Sequence, residues 1–409
     1  VPLLQKEFPN AELHLSTQAS CVNSEAVKMY KKIGFKRIVL GREISLDQIK
    51  RIKDSVPDIE LEAFVHGAMC IAYAGRCLMS AYLTGRSAQS GFCSHTCRWN
   101  FKVGTDKNEV NRIKKTDEAL AKKIAESGML LLEEQQRPGE FFPVYEGDDY
   151  TAILSSKDLR HLFQVLWQAW LPESSESDLK DFKEAGVDSL KIEGRMKSVY
   201  YVAMVTRAYR KALDALEGKI SVEEAAPYIE ELENVSHRAS TTGFYYNKSD
   251  ADETTVGASD SKYQLAAEIG EEVSSEAFEK LYKESCRRYA EFKKNLDEMH
   301  PSARQARLKD PELHTDRNVV PFEKREGWHM YGCTAVNMIK SEDEIEFVSP
   351  EFCSLTAKSG EWEIISSETG LKLNWICDGH PAVIYTKYQL PDGTLLRTLD
   401  PDYVSGQIR

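Results

Sequence analysis

The stretch IELEAFVHGAMCIAYAGRCLMSAYLTGRSAQSGFCSHTCRWNF (59–101) carries the strongest signals in the chain. Its first seven residues alternate like a strand, which puts Glu60, Glu62 and Phe64 on one face. Four of the nine cysteines then follow within a short span: Cys70, Cys77, Cys93 and Cys97. Upstream, ELHLSTQ (12–18) alternates as well, and NSEAVKMYKKIG (23–34) has helical spacing that ends on Gly34. RIVLG (37–41) is a short apolar run, and Ser45 stands as an N-cap before SLDQIKRIKD (45–54). Strand, helix, strand, helix and strand with short links predict parallel pairing through right-handed crossovers. In such folds the loops after strand C-termini bear the chemistry, and Cys70 lies in one of them.

Downstream, TAILSS (151–156) and VDSLKIEG (187–194) read as two more strands, the second followed by the long helix SVYYVAMVTRAYRKALDALEG (198–218). Five strands with their helices suit a TIM-like (β/α) barrel that lacks its first strands, or an open doubly wound sheet. The chain opens on Val1, and the expectation is that an N-terminal part is missing. Residues 248–310 are charged and helix-prone, with KLYKESCRRYAEFKKNLDEMH (280–300) the clearest segment. Beyond about 327 come short strands broken by Gly, Asp and Pro: GWHMYGCTAVNMI, EIEFVSP, GEWEIISS and PAVIYTKY. The expected organisation is an α/β barrel domain over 1–247, a helical segment over 248–325 and a small β domain over 326–409.

The 409 residues leave room for two or three domains, and 42% hydrophobic with 29% charged residues is the balance of a globular chain. No run of eighteen apolar residues offers a membrane span, and no secretory signal is visible. Nine cysteines without a regular framework favour a reducing, cytoplasmic compartment over disulfides. At a net charge of −12, a nucleic-acid binder needs a local basic patch, because the global field repels phosphate.

Six residues separate Cys70 from Cys77, fifteen separate Cys77 from Cys93, and three separate Cys93 from Cys97. Thiolates are soft ligands that suit zinc or iron–sulfur centres. Structural zinc sites usually show CxxC pairs, which this stretch lacks, so a wide loop-borne set fits an iron–sulfur cluster better. Two other readings remain. Four unrelated cysteines could pack as small hydrophobes, against which the neighbours Gly75-Arg76, Ser90-Gly91 and Ser94-His95 argue. One cysteine could act as a nucleophile with His66 or His95 as its base.

Beyond the cysteines, Glu62 facing inward near a strand end could serve as acid or base, or form a salt bridge with an arginine. His66 ends the same strand and could orient a cluster or donate to a substrate, or be a satisfied structural histidine. Lys191, Glu193 and Arg195 alternate in LKIEGR and share a face. Three charges turned inward must pair with one another or with a substrate. Arg195 could grip a carboxylate or phosphate bidentately. His237 and Arg238 could line the same mouth, or form a turn that docks the helical segment. CRRYAEFKK (286–294) mixes basic and aromatic residues, but a solvated helix face is the expected reading.

The stretch EAFVHGAMCIAYAGRCLMS (62–80) resembles the signature of the collagenase-like peptidase family U32. The further pieces STQAS (16–20), GREISL (41–46), CRWNF (97–101), RPGEFFPV (137–144), ILSSKDL (153–159), AGVDSLKIEGRMKS (185–198) and HRASTTGFYY (237–246) follow in the family's order. The resemblance implies a TIM-like barrel followed by a small β domain. It also implies a [4Fe–4S] cluster, because better-defined members hydroxylate RNA or ubiquinone precursors with such a cluster on cysteines of this motif. One bacterial branch forms 5-hydroxyuridine at the tRNA wobble position with prephenate as co-substrate, and LKIEGR and CRWNF are most similar to that branch. Carried over, Cys70, Cys77 and Cys93 match cluster ligands. Many members have Cys directly after SKDL where this chain has Arg160, so the resemblance leaves the fourth ligand open and offers Cys97, since some members use a close Cys pair. Glu62, His66, Lys191, Glu193 and Arg195 become the candidate catalytic set, and Arg42, His237 and Arg238 the candidate substrate-binding set. The expected function is hydroxylation of tRNA wobble uridine with a small anionic co-substrate and no membrane partner. A collagenase-like peptidase and a truncated, inactive family member are the alternatives. No Ser-His-Asp order or HExxH motif supports the peptidase.

Overall fold

The computed structural model describes residues 1–67, 70, 72–94, 96–98, 101–104, 131–134, 141–143, 178–195, 197–236, 243–246, 261–309 and 321–400. The expected strand at 151–156, Arg160, His237 and Arg238 lie outside the described residues. The fold is mixed α/β, with one parallel and one large antiparallel sheet. Its contacts divide into two units, Val1–Met196 with His237–Ser259 and Ile408–Arg409, and Lys197–Ser236 with Asp260–Gln407.

The first unit is built on a parallel sheet. Strands β1 (Leu13–Leu15), β2 (Phe35–Val39) and β3 (Glu60–His66) pair in parallel, as the alternating pattern and short links predict. The helix Ser24–Ile33 starts on Asn23, whose side chain accepts from the Ala26 amide, and stops at Gly34 with φ +111°. Ser45 and Gln48 close a capping box on the helix Leu46–Ser55. That helix buries Leu46, Ile49 and Ile52, and the sheet contributes the buried Ile38, Leu61, Ala63 and Val65. Strands β4 (Phe101–Gly104), β5 (Leu131–Glu134) and β6 (Phe141–Pro143) form a separate antiparallel sheet. The helix Asp178–Glu184 then leads to β7 (Ser189–Ile192), which pairs in parallel beside β3. The order of the parallel sheet is therefore β1-β2-β3-β7.

The second unit holds an eight-stranded sheet. It comprises β8 (Tyr263–Glu272), β9 (His329–Ala335), β11 (Ile345–Val348), β12 (Leu355–Ala357), β13 (Trp362–Ser366), β14 (Lys372–Leu373), β16 (Ala382–Thr386) and β17 (Leu395–Leu399). The small β10 (Ile339–Lys340) pairs with β15 (Trp375–Ile376). Every neighbour in the order β12-β11-β17-β8-β9-β16-β13-β14 is antiparallel. Trp362, Ile364, Ile384, Phe347 and Leu396 pack one core, and Phe322, Tyr385 and Val383 form a second against Phe278 and Leu281 of the helix Ser275–Asp297. The strands expected after 327 are thus present. Strand β8 corrects the helical expectation for the stretch around 263–272. Tyr263, Leu265, Ala267 and Ile269 alternate inward, but Ala and Glu in the run gave it a helical composition. On the helix Ser275–Asp297, Arg287 and Arg288 bond Glu284 at 2.7 and 2.8 Å and hold its carboxyl down at about 2. The basic run at 286–294 is a self-neutralised, solvated face, as expected.

Candidate functional site

One face of the parallel sheet is charged. Register places Arg37 of β2 beside Glu60, and places Ser189 and Lys191 of β7 beside Glu62 and Phe64 of β3. Glu62 is buried and fully engaged. Its carboxylate accepts from Lys191 Nζ at 2.7 Å, Ser189 Oγ at 2.9 Å and Arg37 Nη1 at 3.4 Å. Burial raises its pKa, but the bonds from Lys191 and Ser189 and the charges of Lys191 and Arg37 outweigh it and hold the carboxyl below the usual range. Of the two readings for Glu62, the structure displays the ion pair. Ser189 and Arg37 are partners that sequence reasoning missed. Ser189 was visible in principle, since it lies two residues before Lys191 and so on the same face.

Beyond the C-terminal ends of β2 and β7 a second pair forms. Arg42 Nη2 bonds Glu193 Oε2 at 2.7 Å, and its guanidinium lies 3.7 Å above the Phe64 ring. Its Nε is buried without a hydrogen-bond partner among the described residues. Glu193 also accepts from the Arg195 amide at 3.3 Å, and its own amide donates to the His66 carbonyl at 2.9 Å. His66 is buried at the end of β3. Gly67 next to it has φ +106°, and a Cβ there would stand 2.6 Å from the Glu193 carbonyl oxygen. Only glycine lets the chain leave β3 here and enter the cysteine loop. The three charges of LKIEGR therefore find separate partners: Lys191 meets Glu62, Glu193 meets Arg42, and Arg195 Nη1 donates to the Gly91 carbonyl.

Gly91 lies two residues before Cys93, so Arg195 fastens a cysteine-bearing loop. Other bonds fasten it further. Ser80, fully buried, donates to the Arg86 carbonyl at 2.7 Å and accepts from the Ser94 amide at 2.9 Å. Thr84 and Ser94 hydroxyls meet at 2.9 Å. The Cys70–Cys77 turn is pinned by Glu43, which accepts from the Ala74 amide at 3.2 Å. Gly75, φ +72°, backs so closely on the Gln18 carbonyl that a Cβ would overlap it.

None of the four loop cysteines is joined in a disulfide: Cys70 is exposed, and Cys77, Cys93 and Cys97 are half-buried. Cys97 sits on the short helix Thr96–Arg98. Although Cys70 as a residue is exposed, surrounding atoms crowd its thiol and raise its pKa. The Ala72 amide and the Arg42 charge lower it, while the thiols of Cys77 and Cys93 raise it. Arg42, Cys77 and Cys93 thus all act electrostatically on Cys70. Among the described residues, no three His, Cys, Asp or Glu side chains converge at metal-ligand distance. The donor chemistry, three soft thiols outside any disulfide on glycine-rich loops, fits a thiolate-bound cluster. Its ligands would have to draw together to bind.

A sequence model of peptidase family U32 matches residues 1–255. The chain belongs to this family. It is 38% identical over 259 residues to tRNA hydroxylation protein P of Escherichia coli, covering 60% of this chain and 52% of that protein. The corresponding protein of Haemophilus influenzae is also 38% identical, over 257 residues, with coverages of 60% and 52%. The 23S rRNA 5-hydroxycytidine C2501 synthase of Escherichia coli is 31% identical over 278 residues, covering 66% of this chain and 34% of that protein. The chain spans about half the length of the tRNA hydroxylation proteins it matches. No solved structure matches it. Among the described residues, no helix is long and apolar enough to cross a membrane.

Proposed function

We propose that this chain is an RNA-modifying enzyme that hydroxylates uridine in tRNA. The observation behind the proposal is the Arg42–Glu193 pair at the C-terminal end of a parallel sheet, where the chain runs from β3 into the loops that carry the unbridged Cys70, Cys77 and Cys93. Relatives named for tRNA hydroxylation and for rRNA hydroxycytidine synthesis support the RNA substrate class. The parallel sheet is read as part of a (β/α)-barrel wall, whose strand ends are where such folds place chemistry.

Cys70, Cys77 and Cys93, with Cys97 as fourth, would hold a [4Fe–4S] cluster. Bound there, the cluster would supply one-electron redox chemistry. The chain's own residues do the positioning. Arg42 presents a buried Nε that a small anion such as prephenate would satisfy, and the Phe64 ring holds its guanidinium flat. Lys191 is 40% exposed, so it keeps a solvent-facing charge for the same anion while holding Glu62 ionised. Glu193 fixes Arg42, and Arg195 steadies the Gly91–Cys93 turn.

The test is to incubate anaerobically purified, iron-loaded protein with tRNA lacking the wobble modification and with prephenate. Nucleosides are then analysed by mass spectrometry. Formation of 5-hydroxyuridine, lost in Cys77→Ser and impaired in Arg42→Ala, is the expected result. Unmodified tRNA with a fully loaded, folded protein would refute the proposal. Hydrolysis of gelatin by cluster-free protein would instead favour a peptidase.

A further inference from the structure

Among the described residues, three exposed aromatic side chains stand on the cysteine loops. Tyr73 is 71% exposed, Tyr82 69% and Phe92 55%, and Leu78 between them is 68% exposed. Each is tied to a cysteine by sequence or by a bond. Tyr73 lies between Cys70 and Cys77, and Phe92 adjoins Cys93. Tyr82 is on the helix Met79–Thr84, whose Ser80 and Thr84 bond Ser94. Arg76 follows Tyr73 in a turn closed by its amide on the Tyr73 carbonyl at 2.9 Å. Arg76 and Arg86 are exposed, and neither makes an ion pair among the described residues.

The charge of the sequence stretch that carries these rings departs sharply from the rest of the chain. Residues 63–105 contain no Asp or Glu, but contain Arg76, Arg86, Arg98 and Lys102. At the chain's average, a stretch of that length would hold about seven acidic residues. The contrast with the helix Ser275–Asp297 is direct, because there Arg287 and Arg288 each face a glutamate one turn away. An arginine-bearing stretch without acidic residues of its own is what a chain of net charge −12 needs if it is to receive a polyanion.

We propose that Tyr73, Arg76, Leu78, Tyr82, Arg86 and Phe92 form the landing face for an unpaired stretch of RNA. Bases stack on the three rings and phosphates meet the two arginines. Unpaired rather than duplex RNA follows from the rings, since stacking on a side chain requires bases already free of their own stack. It also follows from the proposed chemistry, because enzymes that act on a base take it out of its stack or use single-stranded substrate. This inference rests on the RNA-modifying function proposed above and adds the surface that would deliver the nucleotide.

The test uses the whole chain, purified anaerobically, with fluorescence anisotropy on labelled oligouridylate, on a duplex of equal length and across a salt series. Iron per chain is assayed in every variant. Oligouridylate binds more tightly than the duplex if the inference holds. Tyr73→Ala and Tyr82→Ala each weaken binding about ten-fold with iron unchanged. Arg76→Glu with Arg86→Glu removes most binding and flattens the salt dependence. Both arginines are exposed, so this double variant keeps the test decisive even if a tyrosine variant loses iron. Wild-type protein that binds and modifies RNA, with every face variant equal to it, overturns the landing face and leaves the RNA-modifying function standing. Wild-type protein that binds no RNA when fully loaded overturns both. Variants that bind oligouridylate normally but lose a co-purifying protein would assign the face to a protein partner and overturn the inference.

Discussion

Two charged networks, one in each unit, show opposite designs. In the second unit Arg397 is 1% exposed and spends its guanidinium on Glu231, Glu346 and the Tyr200 hydroxyl, with its plane 3.9 Å over the Tyr263 ring. Neighbouring Arg207 donates to the carbonyls of Ser349, Phe352 and Cys353 at 2.7, 3.1 and 2.9 Å. Strand β17 carries Arg397, and the helix Val199–Leu216 carries Arg207 and Tyr200. These charges are sealed in and fasten the helix to the sheet. On the parallel sheet, by contrast, Lys191 is 40% exposed while it pairs with Glu62, although Arg42 and Arg207 alike keep a buried Nε unbonded among the described residues. Both networks cost desolvation. The sealed one returns it as rigidity, whereas the open one keeps a paired lysine in reach of solvent.

The contrast is most exposed to test at Arg397. Arg397→Met leaves the buried Glu231 and the half-buried Glu346 without their cation, and is expected to destabilise the second unit by about 3–5 kcal/mol in urea unfolding. A change within about 0.5 kcal/mol would mean that the network is not sealed from water. Next comes Glu62→Gln, expected to cost about 1–3 kcal/mol at neutral pH. Because the native carboxyl sits below its usual range, its contribution is complete above that range and fades as pH falls through the depressed value. The stability gap between wild type and Glu62→Gln therefore narrows on acidification below about pH 4, and a gap that widens there would contradict the ion pair. Tyr245→Phe removes the buried hydroxyl that donates to the Phe64 carbonyl at 2.6 Å, for an expected loss of about 1 kcal/mol.

Arg195→Ala is expected to move stability least, by about 0.5 kcal/mol, since the side chain is exposed. Its effect should appear in the metal: iron retained per chain falls, and Arg195→Lys restores part of it. Iron held at the wild-type level, with a raised KM for the co-substrate, would return Arg195 to the substrate-gripping role that its sequence position suggested.

Much of the first unit was legible because local signals agreed. Asn23, Gly34, Ser45 and the alternation at 59–65 each fix one element, and the short links leave parallel pairing as the natural outcome. The charged face was legible as well, since alternation puts Lys191 and Glu193 on one side of the chain at β7. Their partners were not. Arg42 and Glu193 are 151 residues apart, and nothing local links Arg195 to the Gly91 carbonyl. Strand β8 was lost for a different reason: AAEIGEE has the composition of a helix, and only cross-strand neighbours on β9 and β17 make it a strand. The helix Val199–Leu216 was clear from its spacing, but no pattern within it says that Arg207 caps a loop at 349–353.

Cluster binding stands or falls on an anaerobic purification in which iron and acid-labile sulfide are measured per chain, together with the visible spectrum. Close to four of each per chain are expected. Both should be lost in Cys70→Ser and Cys77→Ser, with the fold retained. Folded protein without iron, or with zinc in its place, would contradict the cluster and the hydroxylase function built on it.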